Sequence, residues 1–213
     1  MDDLNFIPVD REIKLDFTKA MVCKLTPDGI IDYINDYFTE ITGYEVHEVV
    51  GGSIDQFVHK DLPKTIFNLV MSKISNKENG HFIIKDQAKD GRYYWFITDF
   101  EYKIDNNGDL ISITSNRKAA PRVAIPEIEK LYKKMVKIEQ RASLKIAQTF
   151  FNGFLEEKEM SFDEYTKSII DSHEIPQTII QPQQQFQPPQ QQPTVIKKKP
   201  KKKKSLIDKL FKK

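Results

Sequence analysis

The chain has 213 residues, 39% hydrophobic and 30% charged, enough for one ordinary domain and a small addition, which excludes a large multidomain enzyme. Its formal charge of +2 conceals a division: residues 197–213 hold ten lysines and one aspartate, net +9, against −7 for the other 196 residues. An acidic body excludes a folded nucleic-acid domain with a basic face. One cysteine, Cys23, rules out an internal disulfide, and no run approaches the roughly 18–20 apolar residues of a spanning helix. The expectation is a cytoplasmic protein.

In chain order, residues 1–16 form an N-terminal segment without a strong pattern. Alternation around Ala20–Lys24, the turn Thr26-Pro27-Asp28-Gly29 and the apolar run Ile30–Ile34 predict a hairpin. Phe38, Ile41 and Thr42 recur at helical spacing after Asn35, and Gly43 supplies a left-handed C-cap. Short helices are expected at Glu45–Val50, at Ile54–Phe57, and from Pro63 to about Ser75. The segments His81–Lys85, Tyr93–Lys103 and Leu110–Ser115 are rich in aromatic and β-branched residues. Gly91 and Gly108 mark the turns between them, so these segments predict three strands. The order is two strands, several short helices, then three strands.

This order, with Asp28-Gly29, the Asn35-x-x-Phe38-x-x-x-Thr42-Gly43-Tyr44 segment, Phe57-Val58-His59-Lys60-Asp61, and Asp90-Gly91 leading to Trp95, resembles a PAS domain over residues 17–118. The fold implied is α+β: a five-stranded antiparallel sheet with short helices on one face, followed by C-terminal helices and a disordered tail. Asp61-Leu62-Pro63-Lys64-x-x-Phe67, Tyr93-Tyr94-Trp95, and Arg117-Lys118 followed by Ile125–Tyr132 are similar to the Aer type of aerotaxis and energy-taxis sensor. That resemblance implies a pocket holding FAD, whose redox state reports on electron transport, with Asn35, His59, Asp61, Lys64 and Trp95 as candidate cofactor-binding residues. Two positions depart from the pattern: Val58 stands where an arginine is usual, and Gly80 where a tryptophan is. Three of these candidates also have a plainer reading. Asn35 and His59 equally serve as helix caps, and Trp95 as sheet core. With no cofactor, the domain is an interaction module; with His59 as axial ligand, a haem sensor. Ile54 occupies the place a photoreceptor cysteine would need. No P-loop, Gly-x-Ser-x-Gly or His-Glu-x-x-His motif gives a case for an enzyme.

Beyond the sheet, residues 125–173 read as signalling helices. Ile128, Leu131, Met135, Ile138 and Ala142 form a seam suited either to a partner, a homodimer among them, or to the chain's own domain. Ile146, Phe150, Phe151, Phe154 and Leu155 form a second apolar cluster, and Ser161–Glu164 opens a last short helix. Residues 176–196 are a Pro/Gln-rich linker, and residues 197–213 a basic amphipathic tail suited to an anionic inner-membrane surface. The resemblance implies a methyl-accepting chemotaxis-type membrane signalling protein as partner, and no nucleic acid.

Overall fold

A computed structural model describes residues 9–172 of the protein. The linker, the basic tail and the end of the expected helical segment at His173 lie outside the described residues. The elements run β1 (Met21–Leu25), β2 (Ile31–Ile34), α1 (Asp36–Thr42), α2 (Val46–Val49), a 3-10 turn (Ile54–Phe57), α3 (Lys64–Ser75), β3 (Phe82–Gln87), β4 (Tyr93–Ile104), β5 (Leu110–Ala119), α4 (Ile125–Arg141), α5 (Leu144–Lys158) and α6 (Phe162–Asp171). The strands form one sheet in the order β2-β1-β5-β4-β3 with every pairing antiparallel. This is the fold class expected from the sequence.

Local chemistry sets the turns that bring the strands together. Thr26 and Ile30 close the first hairpin through a 2.8 Å backbone bond, with Gly29 at φ 81°, a conformation that costs a side chain but not glycine. Asn35 starts α1 by accepting the Phe38 N–H, and Gly43 ends it at φ 71°. Ser161 and Glu164 form a reciprocal capping box at α6.

Period-two alternation divides the sheet between two layers. Leu25, Ile84, Phe96, Phe100 and Ser115 face the helical side formed by the 3-10 turn and α3, where they line one cavity. Residues of the opposite parity, Ile83, Lys85 and Trp95, are also buried. There α4 supplies Tyr132, whose ring stacks on Trp95 with centroids 6.2 Å apart and whose hydroxyl donates to the Ile83 carbonyl at 2.7 Å. With both faces covered, β3 is buried at five consecutive positions. The seam on α4 therefore serves the chain's own domain: Ile128, Leu131 and Met135 are buried, Ile138 is half-buried and Ala142 is exposed.

Two strands run further than their local patterns indicate. β3 continues through Asp86 to Gln87, and β5 through Arg117 to Ala119. The reason is long-range, because Asp86 and Arg117 neutralise each other inside the domain and neither would extend a strand into the core alone.

Candidate functional site

The cavity between the sheet and α3 has mostly apolar walls, including Leu25, Ile54, Val58, Leu62, Phe67 and Val70. Its polar part comes from the strands: Asp86 on β3, Thr98 on β4, and Ser115 and Arg117 on β5. Arg117 Nη1 donates to Asp86 Oδ2 at 3.2 Å and Nε to Ser115 Oγ at 3.3 Å, while the Thr98 and Ser115 hydroxyls lie 2.8 Å apart. The guanidinium also lies 4.8 Å from the Phe96 ring centre and 5.5 Å from that of Phe38. Both charged side chains are at most 5% exposed.

For Asp86, burial and the guanidinium act in opposite directions. Burial pushes the carboxyl up to about 7, and the neighbouring positive charge offsets that only in part. Burial likewise raises the pKa of Cys23, with Arg117 opposing. The Tyr94 hydroxyl is fully buried without a hydrogen-bond partner among the described residues, and burial, then the Asp86 charge, holds its pKa well above the ordinary phenol value.

The five residues singled out from the sequence do not converge on this cavity. Asn35 is committed to backbone: Oδ1 accepts from Val22 N at 2.9 Å and Phe38 N at 3.1 Å, and Nδ2 donates to Ala20 O at 2.9 Å. Lys64 is the exposed first residue of α3. Trp95 lies on the opposite sheet face against Tyr132, because Tyr94 and Phe96 take the inward parity on β4. His59 and Asp61 do meet, but beside Lys85 in a separate cleft of about 310 Å³ that Tyr93, Glu129 and Lys133 also line.

In that cleft His59 Nδ1 accepts the Asp61 N–H at 3.1 Å, so the ring is neutral with its proton on Nε2. The 3.5 Å approach of the Asp61 carboxylate is therefore not an ion pair. Burial first, and then the Lys85 charge, lower the His59 pKa to about 4. Lys85, itself buried, bonds Asp61 at 2.7 Å and sits 4.1 Å from the Tyr93 ring centre. Burial opposes ionisation of Asp61, but the Lys85 hydrogen bond and charge hold its carboxyl below the ordinary value.

The residues that do line the central cavity carry a signal in the alternation itself. Carrying the inward parity from Ile84 to Asp86, from Phe96 to Thr98, and from Ile113 through Ser115 to Arg117 places four polar side chains in the core. Val58, which stands where an arginine was expected, also lines this cavity, and the guanidinium comes instead from β5. Gly80 has a packing reason: a Cβ there would lie 2.7 Å from the Phe82 ring.

The PAS domain family model matches residues 18–116. Residues 18–116 have the PAS fold. Over 103 residues the chain is 28% identical to the aerotaxis receptor of Escherichia coli (strain K12), covering 48% of this chain and 20% of the receptor. The chain thus spans only about a fifth of the curated relative it matches. Among solved structures, the light-state blue-light photoreceptor Aureochrome1 LOV aligns with 53% of this chain and 87% of its own at 15% identity and a TM-score of 0.46. The PAS domain of the fruit-fly ELK potassium channel aligns with 49% and 89% at 18% identity and a TM-score of 0.45.

For a flavin, the donor chemistry and the space give different answers. An apolar slot ending in Asp86, Thr98, Ser115 and Arg117 offers a flat ring the contacts and edge hydrogen bonds it requires. The free volume is about 30 Å³, room for a water or two, whereas even benzene occupies a cavity of about 150 Å³. A flavin ring does not fit this conformation. It requires the wall around the Asp86–Arg117 bridge to move outward. Among the described residues no group of three or more His, Cys, Asp or Glu side chains is placed to hold a metal ion.

Proposed function

We propose that this protein is a non-catalytic PAS sensor for energy taxis, which passes the state of its core through α4 to a methyl-accepting chemotaxis-type membrane transducer by protein contact. The observation that carries this reading is the double attachment of α4 to the PAS core. Midway along α4 Tyr132 stacks on Trp95. Near its C-terminal end the Glu139 carboxylate caps α3 from 74 residues away, accepting from Lys64 N at 3.0 Å, Thr65 N at 2.9 Å and Thr65 Oγ1 at 2.8 Å. Because α3 walls the cavity and begins on a carboxylate of the output helix, a shift of that wall bears directly on α4. The likeness to the aerotaxis receptor supports the pathway.

The ligand assigned in this reading is FAD, bound noncovalently in a conformation in which the wall around the Asp86–Arg117 bridge has moved outward from the one described. A flavin supplies reversible electron uptake when bound; Asp86, Thr98, Ser115 and Arg117 are the residues placed to bind its polar edge. A second reading, a cofactor-free interaction module, is favoured by the small free volume and by the ion pair that bridges the cavity. One absorption spectrum separates them. A sensor with FAD is yellow as purified or after reconstitution, bleaches with dithionite and recovers in air, whereas a protein that stays colourless after incubation with FAD is the module. A haem Soret band would displace both, although His59 lies outside the central cavity wall.

No helix among the described residues is long and apolar enough to cross a membrane. Peripheral attachment to the inner membrane through residues 197–213 completes the proposal, with about 1 kcal/mol contributed by each lysine near an anionic surface. Co-sedimentation with anionic vesicles at low salt is expected for the full chain. Equal sedimentation after deletion of residues 197–213 would overturn it.

A further inference from the structure

The helix α5 carries more apolar surface than the chain itself covers. Ala147 and Phe151 are buried against the body, but Ile146 is 54% exposed, and Phe150 and Phe154 are only half-buried. Ile146, Phe150, Gly153 and Phe154 follow one another at helical spacing along the wall of a cleft of about 530 Å³. Beyond Lys134, Phe150 and Phe154 this cleft continues into a second of about 240 Å³ between α4 and α6.

Gly153 lies within this stripe. Glycine is disfavoured in a helix interior, and nothing among the described residues requires it here, since a Cβ built at position 153 has no neighbour within 4 Å and φ is ordinary. The gap leaves room for a close approach from outside.

The charge around the cleft indicates what approaches. Lys130, Lys134 and Lys158 border it, and among the described residues none of the three has an acidic ion-pair partner. Lys134 instead lies 4.4 Å from the Phe150 ring centre. Of the two acids on the cleft, Glu127 already accepts from the Tyr165 hydroxyl at 3.3 Å, and Glu157 lies at the far end. A second copy of this chain would bring the same lysines against these, and residues 197–213 are repelled by their own ten lysines.

We infer that the α4–α5–α6 cleft is the docking surface for an amphipathic helix of a partner protein, its apolar stripe seated over Gly153 and its acidic flanks on Lys130, Lys134 and Lys158. This deepens the contact reading above and is independent of whether the cavity holds flavin.

The test uses the full chain and two synthetic helical peptides with the same leucine stripe, one flanked by glutamates and the other by lysines, titrated by fluorescence anisotropy at low salt. The glutamate peptide should bind at least about tenfold more tightly. Triple charge reversal (K130E, K134E, K158E) should invert that preference. Gly153→Leu should reduce binding of the glutamate peptide by about tenfold or more with no fall in thermal midpoint, separating lost docking from lost folding. Equal affinity for the two peptides, or undiminished binding by Gly153→Leu, overturns the inference. So does concentration-dependent dimerisation that Gly153→Leu abolishes, which would give the face to a second copy. If the transducer's cytoplasmic domain binds Gly153→Leu as it binds the wild type, the cleft assignment fails while the contact reading stands.

Discussion

Well above pH 7, where Asp86 is ionised, replacing Arg117 with methionine should destabilise the protein by up to about 3–5 kcal/mol, because it either leaves a carboxylate buried without its counter-charge or forces it to take up a proton. The double variant Asp86→Leu/Arg117→Met should recover most of that loss, since an apolar pair avoids desolvating two ions. Denaturant midpoints of the two single variants and the double give the coupling directly. Additive losses would mean that the bridge is not a unit. The same pair sets a pH dependence. Asp86 has its folded pKa raised to about 7, above the ordinary value of about 3.9, so its contribution is fully present below about pH 4 and is lost as pH rises through about 7. His59 has its folded pKa lowered to about 4 from an ordinary value of about 6.5. Its contribution is present above about 6.5 and is lost as pH falls through about 4. The two slopes oppose each other over one window. Asp86→Asn should therefore expose stability that rises with pH, and His59→Phe stability that falls with pH.

The sequence carried the framework of this domain because its framework is local. Asn35 as a cap, Gly29 and Gly43 in left-handed turns, and the alternating strands each depend on neighbours within a few residues. The polar part of the cavity depends on distance: Asp86 and Arg117 are 31 residues apart and meet only after β3, β4 and β5 pair. Trp95 shows a second limit. Tyr94, Trp95 and Phe96 are all buried because both sheet faces are covered, so the alternation that assigns a side is masked along this run. Even there the positions of Thr98 and Phe100 indicate the inward parity, and by that parity Trp95 belongs to the face that receives α4. Glu139 had no local signal at all. Its partner is the N-terminus of a helix 74 residues earlier, which begins after Pro63 with no side-chain cap of its own.

Tyr132→Ala should cost about 3–5 kcal/mol, the range for deleting a buried aromatic side chain, and its effect should concentrate on α4. The side chain is 1% exposed, stacks on Trp95 and supplies the bond to the Ile83 carbonyl. Tyr132→Phe removes only the hydroxyl and should cost about 1 kcal/mol. The difference between the variants measures ring packing. Ile128, Leu131 and Met135 stay buried and Glu139 still caps α3, so losing the Trp95 contact weakens the attachment of α4 without removing it, the cap itself being worth about 1 kcal/mol. Hydrogen exchange should therefore show residues 126–141 losing protection in Tyr132→Ala while β1 and β5 keep theirs. Equal loss across the sheet would mean that α4 and the PAS core open as a single cooperative unit.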